Sequence, residues 1–127
     1  MKILSIGNSF SVCVLKQMPQ IARNSGCALD LASAQIGGCS LERHVNELAK
    51  AEADPSAKAH YYFSWNYVSD DGHLRRMLPK RRRISLPAAL KADVWDVVTI
   101  QQASHESWRE QSFEPWADRL VAKIREY

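Results

Sequence analysis

The chain has 127 residues, of which 46% are hydrophobic and 24% are charged. These are the proportions of an ordinary globular protein, so they exclude a disordered or fibrous chain, and the length predicts one small domain over residues 1–127. Seventeen Lys and Arg residues against fourteen Asp and Glu residues leave a net charge of +3, an excess too small to indicate nucleic-acid binding.

The cysteines and the apolar runs bear on the compartment. Cys13, Cys27 and Cys39 are odd in number and have no CxxC spacing, which argues against a disulfide scaffold or a zinc site and predicts buried thiols. No apolar run approaches the roughly 20 residues of a transmembrane helix. We therefore expect a cytoplasmic protein, or a secreted or periplasmic one if a leader has been removed, with no membrane, metal ion or cofactor as a partner.

The first half of the chain alternates between strand and helix patterns. Residues 2–6 form an apolar run that ends at Gly-Asn-Ser, which predicts a buried strand and a tight turn. Apolar residues then recur at helical spacing over residues 11–24, interrupted only by Pro19. Residues 27–34 read as a second strand, and Ser40 is a good N-cap for a helix over residues 41–53. This order predicts a parallel sheet covered by helices.

The second half begins differently. Residues 59–68 are rich in aromatic side chains and precede the turn sequence Ser-Asp-Asp-Gly, which predicts a hairpin-like insertion around residues 59–79. The basic run at residues 80–83 predicts a solvated face, with an anion site as the alternative. A short helix over residues 85–92, a β-branched strand over 97–100 and an amphipathic helix over 114–125 complete the chain.

Three predicted strands end in polar or glycine-rich turns, at residues 7–11, 37–40 and 101–105. In an open parallel sheet, ligands bind outside the carboxyl ends of the strands, so these turns should meet at one rim. Ser9, between a strand and a helix N-terminus, is a candidate nucleophile or an ordinary N-cap. Gly38 could donate its backbone N–H to an oxyanion, or it could be an ordinary turn glycine. Gln101 or Gln102 could donate a further hydrogen bond from its side-chain amide, or be a solvated loop residue.

The same turns carry a family resemblance. The segment LSIGNSFS (residues 4–11) resembles the first block of the SGNH/GDSL hydrolase superfamily, with Asn8 where many members have Asp. IGGCSLERH (36–44) resembles the second block, and WDVVTIQQASHESW (95–108) resembles the strand and loop of the third. The combination GNSF, GGCSL and WDxxTxQQxS is most similar to an uncharacterised bacterial branch of that superfamily.

The resemblance implies a three-layer, flavodoxin-like α/β fold and serine ester hydrolysis, often of acyl groups on carbohydrates. It implies that Ser9 is the nucleophile and that the backbone N–H groups of Ser9 and Gly38 are two arms of the oxyanion hole. The third arm is usually an Asn of the third block; here Gln102 is the preferred substitute. The remaining candidates at the rim are Asn8, Gln101, Ser104 and His105.

The catalytic base of the superfamily is a His in an Asp-x-x-His block near the C-terminus, after further strands. That block does not follow the third block here, so we expect the chain to be the N-terminal portion of a larger fold, with weak or no activity alone. The Asp-x-x-His at residues 70–73 falls in the predicted hairpin turn, which leaves His105 as the better local candidate. His44 and His60 are expected at the surface.

Two other functions are compatible with these residues. One is a non-catalytic flavodoxin-like module that binds a glycan or an anion at the same rim. The other is a structural fragment that self-associates, because an unpaired last strand invites strand addition from another chain.

Overall fold

The computed structural model describes residues 1–78 and 82–127. The strands are β1 (Lys2–Gly7), β2 (Leu29–Gln35), β3 (Tyr61–Val68), β4 (Leu74–Arg76), β5 (Arg82–Ile84) and β6 (Val97–Ile100). The helices are α1 (Ser9–Ser25), α2 (Leu41–Ala53), α3 (Leu86–Leu90) and α4 (Trp116–Ile124), and a 3₁₀ turn covers Glu110–Ser112. Every predicted strand and helix is present, with ends that differ by a few residues; residues 80 and 81 of the basic run lie outside the described residues.

The six strands form one mixed sheet in the order β4-β3-β2-β1-β6, with β5 also paired to β3. The pairs β1–β2 and β1–β6 are parallel, as predicted. The predicted hairpin is confirmed as β3 and β4, but it extends the sheet through β3, which is antiparallel to β2. The predicted parallel sheet is therefore only partly correct: after α2 the chain returns to the rim end of β2, where Tyr62 pairs with Gln35, and β3 runs antiparallel from there.

Helices cover both faces of the sheet unequally. Helix α1 lies on one face and packs on a small apolar cluster near the amino ends of β1 and β2. Helices α2, α3 and α4 cover the opposite face, where the main core lies. The largest fully buried apolar side chains of that core are Leu4, Ile6, Leu41, Leu48, Tyr61, Phe63, Leu86 and Leu120.

Local signals end the elements where the sequence predicts. Gly26 stops α1 in the left-handed conformation, with φ of 59°, and the hydroxyl of Ser40 accepts the N–H of Arg43 at 3.3 Å to begin α2. At the β3–β4 turn, Gly72 has φ of 85° and lies so close to α1 that a Cβ there would be 2.8 Å from the Cβ of Arg23. The hairpin tip therefore packs on α1 near its C-terminal end.

Two expectations about burial are wrong. His44, expected at the surface, is fully buried, because it shares the inward stripe of α2 with Leu41 and Leu48. Of the three cysteines only Cys39 is buried; Cys13 lies on the outer face of α1 and Cys27 in the turn before β2, and both are exposed. None of the helices in residues 1–78 and 82–127 is long and apolar enough to cross a membrane.

Candidate functional site

The side chain of Asn8 joins the three predicted turns. Its Nδ2 donates to the carbonyl oxygens of Cys39 at 3.2 Å and Gln102 at 3.1 Å, and its Oδ1 accepts the N–H of Phe10 at 3.1 Å. Asn8 is only 1% exposed, so these bonds are shielded from water. The turns after β1, β2 and β6 thus meet at one rim, as the sequence predicts.

Ser9 is the first residue of α1 and is exposed at this rim. The N-cap is Asn8 rather than Ser9, which removes the ordinary capping role considered for that serine. Within residues 1–78 and 82–127, no group forms a hydrogen bond with the Ser9 hydroxyl. The hydroxyl therefore lies free at the positive end of a helix of 17 residues.

Gly38 lies in the exposed turn between β2 and α2, with φ of 60°. This left-handed conformation favours glycine, and the next residue, Cys39, donates its N–H to Ile36 at 3.3 Å to close the turn. In the described part of the chain, the N–H groups of Ser9 and Gly38 donate to no acceptor. Ser9 follows Asn8 in the chain and Gly38 precedes Cys39, and Asn8 and Cys39 are hydrogen-bonded to each other. Two unused donors therefore lie at the same rim.

Gln102 is engaged in holding the rim together. Its Oε1 accepts the N–H of Leu41 at 3.0 Å, and its Nε2 donates to the carbonyl and the hydroxyl of Ser112 at 2.7 and 3.1 Å. The side chain thus joins the start of α2 to the segment before α4. Both amide hydrogens are donated to Ser112, so neither is free to stabilise an oxyanion.

Gln101 points to the other side of the rim, where its Oε1 accepts the Ser11 hydroxyl at 2.5 Å. Gly7 permits this contact, because a Cβ there would overlap the Ser11 hydroxyl and lie 3.2 Å from Gln101 Oε1. Sequence reasoning missed Ser11 and Ser112 as partners of the two glutamines. Gly7, the first residue of GNSF, was the one signal of such a close approach.

Ser104 and His105 lie exposed in the loop that follows β6. The nearest charged partner of His105 is Glu106, with Nε2 and Oε1 3.9 Å apart. Neither residue forms a hydrogen bond with Ser9. The structure places both after the rim turn without bringing either to the serine.

The other histidines are held away from Ser9. His44 is buried under the Gly38 turn, with Nδ1 at 2.8 Å from the hydroxyl of Tyr61 and 3.5 Å from the sulfur of Cys39. Burial lowers the pKa of His44 to about 4 and raises the pKa of Cys39 to about 12, so both are neutral near pH 7. His60 binds Glu47 through Nδ1 at 2.6 Å.

His73 lies in the β3–β4 turn, which confirms the turn predicted for residues 70–73. Its N–H is held by Ser69 and Asp71, and its Nδ1 is 3.0 Å from Asp71. Hydrogen bonds from Ser69 and His73 lower the pKa of Asp71 to about 2. Because β3 is antiparallel to β2, this turn is at the end of the sheet opposite Ser9.

Comparison with known proteins places the chain in a family. The sequence profile of a domain of unknown function, DUF4886, matches residues 2–127. The chain belongs to the DUF4886 family. The crystal structure of a DUF4886 family protein from Bacteroides uniformis ATCC 8492 resembles it with a TM-score of 0.75 and 32% sequence identity. The match covers 99% of this chain and 44% of that protein, so this DUF4886 chain spans less than half of its length. Among curated proteins, none matches the chain.

Proposed function

We propose that this DUF4886 chain carries the nucleophile and the oxyanion hole of an SGNH-type serine hydrolase with a flavodoxin-like fold. Its substrate would be an ester, with acylated carbohydrates as the leading class. The observation that supports this most is the Asn8 bridge, which sets the free hydroxyl of Ser9 beside two unused backbone donors. The order of the three sequence blocks is the second support.

The chemistry needs three groups at the rim. The Ser9 oxygen attacks the ester carbonyl carbon and passes its proton to a base, while the carbonyl oxygen becomes an oxyanion. The N–H groups of Ser9 and Gly38 stabilise that charge, and the α1 N-terminus adds to the field. The alcohol then leaves with a proton from the base, and water hydrolyses the acyl-serine.

Among the described residues, no histidine is placed to act as the base for Ser9. His44, His60 and His73 are engaged elsewhere, and His105 pairs loosely with Glu106. We therefore place the base in the region of longer family members that this chain does not span, as the SGNH resemblance implies. Gln102 would serve as a third oxyanion donor only by releasing Ser112, so the two backbone groups form the hole.

A fluorophosphonate probe tests the proposal, because it phosphonylates activated serines. Because the base is placed in the region that this chain does not span, the probe is applied to the chain extended to the full length of the domain. We expect it to label Ser9 there, identified by peptide mass spectrometry, and the label to disappear in Ser9→Ala. Ser25→Ala is the matched control, since Ser25 is an exposed serine at the opposite end of the same helix, with its hydroxyl 2.8 Å from the carbonyl of Ile21. Labelling of Ser9 no faster than that of Ser25 would refute the nucleophile.

One observation favours a second candidate, a module that binds a glycan or an anion without turnover. In residues 1–78 and 82–127, no histidine contacts the Ser9 hydroxyl. With the chain extended to the full length of the domain, a binding module would retain ligand affinity in Ser9→Ala and show no ester hydrolysis in the wild type. An esterase would lose hydrolysis in that variant.

A further inference from the structure

A second cavity lies away from the rim turns, between α1 and the strands β2, β3 and β4. It encloses about 540 Å³, within the range of roughly 300–1,000 Å³ found for small-molecule sites. We call it the α1 groove; its lining includes Val12, Leu15 and Lys16 from α1, Ser33 from β2, Ser64 and Asn66 from β3, and Arg76 from β4.

The floor of the α1 groove is polar where a helix-covered sheet face should be apolar. Near the amino end of β2, this face carries Leu29 and Leu31, which pack with α1. Further toward the rim it carries Ser33, which lies opposite Ser64 in the β2–β3 register. Apolar packing under α1 therefore gives way to hydroxyl and amide groups within one strand.

These polar groups are available to a ligand. The hydroxyl of Ser33 accepts a hydrogen bond from Gln35 at 2.5 Å, which leaves its own hydrogen to donate. Ser64 and Asn66 are half-buried, and their side chains form no hydrogen bond within the described residues. Because these half-buried groups line an open groove, water can reach them and they remain free to form hydrogen bonds with a ligand.

The charges of the groove indicate the ligand's charge. Lys16 lies on the helical wall and Arg76 on the strand wall, next to Asn66 in the β3–β4 register. No carboxylate lines the groove, and neither cation forms an ion pair in residues 1–78 and 82–127. Two cations without a counter-ion on opposite walls favour an anionic ligand.

The helical wall completes the pattern. Val12, Leu15 and Pro19 present an apolar surface opposite the polar floor. A pyranose ring has this same division, with C–H groups on its faces and hydroxyls at its edge. From the floor, the charges and the apolar wall, we infer that the α1 groove binds an acidic saccharide whose hydroxyls contact Ser64 and Asn66 and whose carboxylate lies between Lys16 and Arg76.

The groove also lies near the proposed nucleophile. Val12 is one helical turn after Ser9, and Gln35, at the rim end of β2, lines the same groove. A saccharide in the groove would therefore extend toward Ser9. Binding itself does not depend on whether Ser9 reacts, so the inference stands or falls separately from the esterase proposal.

The test is calorimetric titration of the Ser9→Ala protein with digalacturonate, and with galactobiose as the neutral disaccharide of the same ring configuration. The Ser9→Ala background removes any turnover. We expect saturable binding of digalacturonate that weakens with added salt, and about tenfold weaker binding of galactobiose, as for the loss of one charge-assisted contact.

Two substitutions localise the binding. Arg76→Gln should weaken digalacturonate binding about tenfold, and Asn66→Leu should weaken it while the fold is kept. Arg75→Gln is the matched control: it removes the neighbouring charge of the same strand, but Arg75 lies over the ring of Tyr67 on the other face of the sheet. Circular dichroism checks that each variant is folded. No saturable binding, equal binding of galactobiose, or equal effects of Arg76→Gln and Arg75→Gln would overturn the inference.

Discussion

Replacing Asn8 removes a side chain that joins all three turns of the rim. Asn8→Ala eliminates three hydrogen bonds and leaves the carbonyls of Cys39 and Gln102 and the N–H of Phe10 without their partner. At about 1 kcal/mol for each bond, including the lost helix cap, the free energy of unfolding should fall by about 3 kcal/mol. That is a large fraction of the roughly 5–15 kcal/mol that stabilises a small domain.

Asn8→Asp tests the hydrogen bonds that Nδ2 donates separately from the one that Oδ1 accepts. The substitution retains an oxygen that accepts the N–H of Phe10, but it places a second oxygen 3.1–3.2 Å from two carbonyl oxygens. Burial and these carbonyls raise the folded pKa of the introduced carboxyl, because they disfavour its charge. Stability is therefore lost as the pH rises through that pKa. The free energy of unfolding of the variant should fall further below that of the wild type at pH 7 than at pH 4.5.

Urea unfolding followed by tryptophan fluorescence measures both variants. The control is Asn24→Asp near the other end of α1, where the exposed side chain contacts only Gln20 and the change should cost under about 0.5 kcal/mol. An Asn8→Ala variant as stable as this control, or an Asn8→Asp variant as stable as the wild type at pH 7, would show that the Asn8 side chain does not stabilise the three turns.

Packing and burial make three further outcomes measurable. Gly7→Ala should destabilise the fold by about 2 kcal/mol in urea, because its Cβ overlaps the Ser11 hydroxyl, while Gly37→Ala, with open space around it, should cost under about 0.5 kcal/mol. Burial lowers the pKa of His44 from 6.5 to about 4, so only the unfolded chain takes up this proton between these values. The unfolding free energy should accordingly fall by up to about 3 kcal/mol as the pH drops across that range, and His44→Gln should flatten the slope; equal slopes would contradict the burial. Iodoacetamide at pH 8 should alkylate the two exposed cysteines and spare Cys39, whose pKa is raised to about 12, until the protein unfolds; early modification of Cys39 by mass spectrometry would show that the start of α2 opens.

Much of the fold could be predicted because its signals are local. Helix α2 has its predicted bounds, since Ser40 supplies the cap and the apolar spacing continues from there. The spacing of Leu41, His44 and Leu48 also placed His44 in the buried stripe, a pattern that was readable but was outweighed by the polarity of the residue. The convergence of the turns was predictable because parallel strands share one carboxyl edge.

The rest depends on pairings that no local pattern specifies. The antiparallel register of β3 on β2 joins residues far apart in the chain, and it alone places Ser64 beside Ser33 to make the groove floor. The partners of Gln102 follow in the same way, because Leu41 and Ser112 reach it only after α2 and the segment before α4 have packed. Side-chain hydrogen bonds of this kind follow from tertiary structure.

The two edges of the sheet differ in how well they are protected from strand addition by another chain. Strands β4 and β5 run in the same direction along β3 as two short pieces, and between them they carry four arginines: Arg75, Arg76, Arg82 and Arg83. Short, charged edge segments repel a second copy and discourage amyloid-like stacking. The opposite edge is the uncharged run Val-Val-Thr-Ile of β6, which pairs on one side only among the described residues. Any aggregation through strand addition should therefore begin at β6, and a Lys introduced at the exposed Val97 should suppress it.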